Sequence, residues 1–229
     1  MQSRNICIIP ARGGSKRIPR KNIKIFLGKP IIAYSIEAAI NSELFDEVMV
    51  STDDDEIAEI AIKFGAKVPF LRSKNSSSDF ATTFDVVEEV IKCYSNINLN
   101  FDYTCCIYPC APFVTKEKIK QGFELLIKKK FDCIMPIIEY GNPIQRALIQ
   151  KRKSKIDYLN SEFKLTRSQD LEKRFYDAGQ FYWLNTLMCL QKCSIFTDNT
   201  GGILISELEA QDIDNSTDWK LAEFKYKLL

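Results

Sequence analysis

The stretch Ile6-Cys7-Ile8-Ile9-Pro10-Ala11-Arg12-Gly13-Gly14-Ser15-Lys16-Arg17-Ile18-Pro19-Arg20-Lys21-Asn22 passes from an apolar run closed by proline into a glycine pair set among cations. Residues 6–10 have the composition of a short buried strand. Behind them Arg12, Lys16, Arg17, Arg20 and Lys21 fall within ten residues. Gly13 and Gly14 let backbone N–H groups come close to an anion, while the cations neutralise its charge. A triphosphate needs both. The spacing is not that of a Walker A loop, nor of a dinucleotide fingerprint. Basic runs are commonly solvated, or serve as arms for nucleic acid. A glycine pair at the carboxyl end of a first strand favours phosphate instead, because α/β proteins place ligands there.

Outward from this stretch, short apolar strands alternate with amphipathic helices. Pro30 suits the first turn of a helix reaching about residue 40, and residues 47–51 form a second strand. Ser51 and Asp54 resemble an N-cap arrangement with acids in the first turn. Ile57, Ile60, Ala61 and Phe64 keep helical spacing up to a capping Gly65. A short strand is expected at 68–71, then a helix over 82–94 with Val86, Val87, Val90 and Ile91 on one face. Residues 103–108 are nearly all apolar, as at the centre of a parallel sheet; a helix over 115–130 and a strand over 132–138 follow. This order predicts a doubly wound, Rossmann-like, mostly parallel α/β sheet with ligands at the carboxyl ends of its strands. From 141 to 174 the segment turns polar and loses its period, an excursion within a single domain spanning 1–229. Apolar pattern returns at 178–184 and 203–205, and a last helix starts near 217.

Totals narrow the function. The 229 residues suffice for one substantial core; they are 45% hydrophobic and 27% charged, with a net charge of +2. With 32 Lys+Arg against 30 Asp+Glu, the whole chain does not look like a nucleic-acid binder. The apolar run at the N-terminus is too short for a signal peptide or a membrane span, which predicts a cytoplasmic protein. Eight cysteines lie at spacings that match no zinc framework, and there is no histidine; the cysteines read as small core residues. Lacking histidine, the chain has no triad chemistry, and a mechanism run by a metal and electrostatics gains weight. Asp212 and Asp214, if extended, point the same way and suit a hard divalent cation such as Mg²⁺. The same Asp-Ile-Asp-Asn also reads as a turn into a helix capped by Asn215 and Ser216.

The opening motif, followed by Leu27-Gly28-Lys29-Pro30, resembles the cytidylyltransferases that activate sialic acids and related nine-carbon acidic sugars. The resemblance continues through Ser51-Thr52-Asp53-Asp54, Phe70-Leu71-Arg72, Ser78-Asp79, Tyr108-Pro109-Cys110-Ala111-Pro112, Asp177-Ala178-Gly179-Gln180-Phe181-Tyr182-Trp183 and Gln211-Asp212-Ile213-Asp214. It covers the whole chain in order. Tyr108, where sialic acid enzymes carry Gln, Pro143-Ile144-Gln145-Arg146 and Arg167-Ser168-Gln169-Asp170 are most similar to the pseudaminic acid branch.

The resemblance implies the nucleotide-diphospho-sugar transferase type of sheet, and an enzyme that transfers CMP from CTP to the anomeric hydroxyl of such a sugar. It implies that Ala11, Arg12, Gly13, Gly14, Ser15, Lys16, Lys21 and Asn22 hold the phosphates, with Arg12 and Lys21 acting in catalysis. Asp212 and Asp214 would hold the catalytic metal, Arg72 and Thr83 would read cytosine and ribose, and Asp79 would support that loop. Tyr108, Gln180, Phe181 and Tyr182 would line the sugar site, although alternate residues of a strand face opposite ways. Arg167 would fork onto the sugar carboxylate. Residues 141–174 resemble the family's dimerisation arm, which implies a homodimer. Sialic, legionaminic or ketodeoxyoctonate activation, and a non-catalytic nucleotide-binding module, are the alternatives.

Overall fold

The computed structural model describes residues 3–229. The opening apolar run forms β1 (Asn5–Pro10). A small hairpin, β2 (Ile25–Phe26) and β3 (Lys29–Pro30), leads into α1 (Ile31–Ser42), then β4 (Glu47–Ser51), α2 (Asp55–Lys63) and α3 (Thr83–Ser95). There follow β5 (Tyr103–Ile107), α4 (Lys116–Lys129) and β6 (Cys133–Glu139). The hairpin β7 (Leu148–Gln150) and β8 (Ile156–Tyr158) stands within the excursion. The chain then forms β9 (Phe175–Asp177), β10 (Phe181–Asn185), α5 (Thr186–Lys192), β11 (Thr200–Leu204) and α6 (Ser216–Tyr226).

The main sheet runs β11-β6-β10-β5-β1-β4, with β9 also paired to β6. β1 is parallel to both β4 and β5, and β6 is parallel to β11. Between these parallel groups β10 runs antiparallel to β5 and β6. The reason is the excursion: the chain leaves β6, makes the arm and returns along the same strand as β9 and β10, as a direct return requires.

Alternate strand residues feed two cores. Cys7 and Ile9 of β1, Cys105 and Ile107 of β5, and Phe181 and Trp183 of β10 pack with α1, α2 and α4. Ile6, Ile8, Cys106, Tyr182 and Leu184 pack on the other face with α3 and α5. Five of the cysteines are buried and all eight are free thiols, the core usage expected of them. A third cluster joins Ile18, Phe26, Tyr34, Phe113, Ile213 and Trp219. It pins the basic loop and the Asp212–Asp214 segment to one apolar seat.

Two local expectations change, and one helix appears where none was expected. No strand forms over 68–71; a single parallel bridge joins Met49 to Lys67, and Pro69, lacking an N–H, cannot extend it. The N-cap of α2 is Asp54, which accepts from the Ile57 N–H at 3.0 Å, and not Ser51. The helix α5, capped by Asn185, is too short to have shown a period. Among the described residues no helix is long and apolar enough to cross a membrane.

Candidate active site

The basic loop leaves β1 at the carboxyl edge of the sheet and is tied to the next strand's exit. Ala11 N–H donates to Ser51 O, and Gly13 N–H to Asp53 Oδ1, both at 2.9 Å. A Cβ on Gly13 would stand 2.6 Å from Asp54 Oδ2, so only glycine lets the loop lie this close to α2. Its N–H is therefore spent on Asp53, and Gly14 is the exposed glycine. Arg20, in the left-handed region at φ 55°, clamps the loop onto α2 through Asp54 (Nη2–Oδ1 2.9 Å) and Glu56. The Arg20 hydrogen bond is the largest influence holding the Asp54 carboxyl below its usual range.

The other cations meet acids across the site. Arg12 Nη1 reaches Asp79 Oδ1 at 2.8 Å and Ser78 O at 3.2 Å, and Lys16 pairs with the same carboxylate. Together they hold Asp79 below its ordinary value, Lys16 first. Arg17 Nη1 lies 2.7 Å from Asp214 Oδ2. Lys21 Nζ donates to Ile213 O at 2.7 Å, bridging the basic loop to the carboxylate segment. Asn22 is buried. Its Nδ2 donates to Arg12 O at 2.9 Å and its Oδ1 accepts from the Cys110 thiol at 3.2 Å. The amide assigned to a phosphate oxygen thus braces the loop itself.

A cavity of about 380 Å³ opens where these pieces meet. Arg12, Ser15, Lys16, Arg17, Lys21 and Asn22 line it together with Asp212 and Asp214, and Tyr108, Cys110 and Gly179 complete its wall. Ile213, 1% exposed, plugs into the apolar cluster between the two carboxylates, which leaves both of them on the cavity side. The capping reading holds for Asn215, which caps α6, while Ser216 is the first residue of that helix; Asp218 Oδ2 accepts from Asp214 N and Asn215 N at 2.9 Å each. Burial first, and Asp214 second, push the Asp212 carboxyl up, while Lys21 opposes them. Two carboxylates suit Mg²⁺, which binds through one or two of them and takes its remaining partners from phosphates and water. Among the described residues no cluster of three or more His, Cys, Asp or Glu could form a closed metal cage.

The other predicted residues divide. Tyr108 lines the cavity, and its hydroxyl is 2.9 Å from Thr83 Oγ1. Tyr182 is buried behind it, ring edge to ring face at 5.3 Å, and donates to Asp177 Oδ2 at 2.6 Å. Phe181 is fully buried in the opposite core, as strand alternation demands once Tyr182 faces Tyr108; it takes no part in the cavity wall. Gln180 is also buried, its Nε2 donating to Glu209 O at 2.5 Å, and it does not line the cavity. Arg72 lies under the loop rather than in the cavity, with Nε 3.0 Å from Ser51 Oγ, and burial lowers its basicity. Arg167 is exposed on the excursion, paired with Asp170 at 2.7 Å, away from this cavity. Asp53, Asp54 and Cys110 were not predicted as site residues. All three follow directly on a parallel strand's carboxyl end, the signal that could have found them.

A cationic glycine loop facing a carboxylate pair at the carboxyl ends of an α/β sheet defines a nucleotidyltransferase. The chain belongs to the cytidylyltransferase family: the family model described as Cytidylyltransferase matches residues 6–210. A pseudaminic acid cytidylyltransferase of Campylobacter jejuni is 43% identical over 225 residues, covering 98% of this chain and 97% of its own. A CMP-N,N'-diacetyllegionaminic acid synthase of Legionella pneumophila is 31% identical over 229 residues, covering 96% and 95%. The solved CMP:2-keto-3-deoxy-manno-octonic acid synthetase complexed with CTP shares the fold. It has a TM-score of 0.72 at 16% identity and covers 99% of this chain and 100% of its own.

Proposed function

We propose that the chain transfers CMP from CTP to the anomeric hydroxyl of pseudaminic acid, releasing pyrophosphate, in the cytoplasm and as a homodimer. The observation that carries this reading is the single cavity shared by the loop at residues 12–22 and the pair Asp212/Asp214. The 43% identity to a pseudaminic acid enzyme, extending over nearly the whole of both chains, supports the choice of sugar.

Arg12, Lys16 and Lys21 bind the phosphates and neutralise charge that develops on the α-phosphate and the leaving pyrophosphate. Gly14 and Ser15 bring backbone close to the phosphates, while Ala11, Gly13 and Asn22 hold that loop in shape. Asp212 and Asp214 would hold Mg²⁺, with Arg17 yielding its partner Asp214 to the cation. Bound there, the metal would supply activation of the attacking hydroxyl and neutralisation of phosphate charge. Thr83 and the loop carrying Asp79 flank the nucleoside, and Arg72 supports that wall from beneath. Tyr108, backed by Tyr182, shapes the sugar side. Arg167, carried on the arm at 141–174, reaches the sugar carboxylate in a second copy of the chain.

Pyrophosphate release from CTP and Mg²⁺, compared between pseudaminic and sialic acid, tests this. Turnover with pseudaminic acid that disappears in Asp212→Ala is the expected result. Turnover confined to sialic acid would overturn the reading of Tyr108, and no release with either sugar would leave a nucleotide-binding module.

A further inference from the structure

Gln180 sits at the kink between β9 and β10, next to Gly179, which adopts φ 63° in the cavity wall. It is 2% exposed, and its Oε1 has no hydrogen-bond partner. A buried, unpaired amide oxygen destabilises a fold, and an apolar side chain of similar shape would remove it. What the amide supplies is a single bond, from Nε2 to the backbone oxygen of Glu209.

Glu209 lies three residues before Asp212 and is gripped from a second side. Lys118, itself buried, reaches Glu209 Oε1 at 3.1 Å and Phe113 O at 3.2 Å. From α6, Lys225 donates to Glu207 O and Ala210 O at 2.9 Å each. Between β11 and α6 the chain has only one short turn, Glu207–Glu209, and so cannot hold the carboxylates by its own secondary structure. Its position depends on these three side chains from outside, on Lys21 at Ile213 O, and, nearer the carboxylates, on the apolar seat of Ile213 and on Asp218 at the Asp214 N–H.

We infer that Gln180 is a positioning residue for the Asp212/Asp214 pair, acting through Glu209 and sharing that task with Lys118. The inference rests on the reading of that pair as the divalent-cation site. It moves Gln180 from sugar recognition to the placement of the metal ligands, and it links the Gly179 wall of the cavity to the opposite carboxylates.

Gln180→Met keeps the length of the side chain while removing both the orphaned oxygen and the donor. The melting temperature should hold or rise. Mn²⁺ binding in the presence of α,β-methylene-CTP, followed by the electron paramagnetic resonance of free Mn²⁺, should weaken by a factor of about 3–10, at or below the loss seen when a group bonded directly to a metal ligand is removed. kcat should fall with KM for CTP unchanged. A purely structural role predicts the reverse, a lower melting temperature with wild-type Mn²⁺ affinity, and that result overturns the inference. So does a raised KM for the sugar with Mn²⁺ affinity intact. Lys118→Met loosens Glu209 from the other side and is expected to weaken Mn²⁺ in the same direction, which keeps the test decisive if Gln180→Met fails to fold. Asp212→Ala, measured alongside, separates two failures. If it loses Mn²⁺ while Gln180→Met keeps it, only the positioning role falls; if it keeps Mn²⁺, the metal pair falls and the inference with it.

Discussion

A Cβ on Gly13 would stand 2.6 Å from Asp54 Oδ2, whereas one on Gly14 would meet nothing within 4 Å. Adjacent glycines in one motif therefore do different things: the first permits close packing on α2, and the second leaves the loop open. Gly13→Ala is expected to lower stability by about 1–3 kcal/mol through overpacking, read as a drop in the denaturant midpoint. Gly14→Ala should stay within about 0.5 kcal/mol of wild type. Asp54 supplies a pH signature. Its folded value lies below its unfolded value of about 3.9, so its pairing with Arg20 adds stability above that pH and loses it as pH falls through the folded value. Asp54→Asn should thus be the less stable protein at pH 7, and its gap to wild type should begin to close as pH falls below about 3.9 and go on closing down to the lowered folded value. A gap that persists unchanged to pH 2 would remove the ion pair as the cause.

Helix capping and the cavity carboxylates share atoms at α6. Asp218 closes the capping box with Asn215 and also accepts from the backbone N–H of Asp214, a cavity carboxylate. Asp218→Ala should cost about 1 kcal/mol in helix capping, seen in thermal melts, and should also reduce turnover by freeing Asp214. A melt shift with unaltered kcat would show that the cap and the site are independent. Thr82 and Thr115 cap α3 and α4 where helices were expected to begin, and Asp54 takes the place of the Ser51 expected for α2; the Asn215 cap was readable from sequence because a capping side chain acts within three residues. The direction of β10 was not. Its apolar residues look the same in either orientation, and only the return path from the arm makes it antiparallel.

On the scale of the whole molecule, the arm projects apolar side chains that the chain itself does not cover: Ile156 is 65% exposed and Leu165 92%. Arg167 stands on that arm, apart from the cavity of its own chain. The proposed role of Arg167 at the sugar of a second copy would account for its exposed position, and complementation tests this. Arg167→Ala and Asp212→Ala are each expected to be nearly inactive, and mixing them should restore turnover, because one site of each mixed dimer has both residues intact. No recovery on mixing, or a single monomeric species in sedimentation, would place Arg167 outside the site.

The parts were legible in the chain before any fold was known: a strand running into a glycine-rich cationic loop, the alternation of strands and helices, the Asp212/Asp214 pair and the resemblance to cytidylyltransferases. These are legible because periodicity, capping and motif spacing act over a few residues. Which groups of the loop face the cavity and which brace it came from long-range contacts. Arg20 and Asn22 belong to the same cationic motif as Arg12, yet their partners are Asp54 and the Arg12 carbonyl. Lys21 reaches across 192 positions to Ile213. Strand alternation set Phe181 and Tyr182 on opposite faces, but which face meets the cavity depended on where β5 placed Tyr108. The bond from Gln180 to Glu209 could not be read in advance, because a side chain's partner depends on contacts between distant segments that no local pattern encodes.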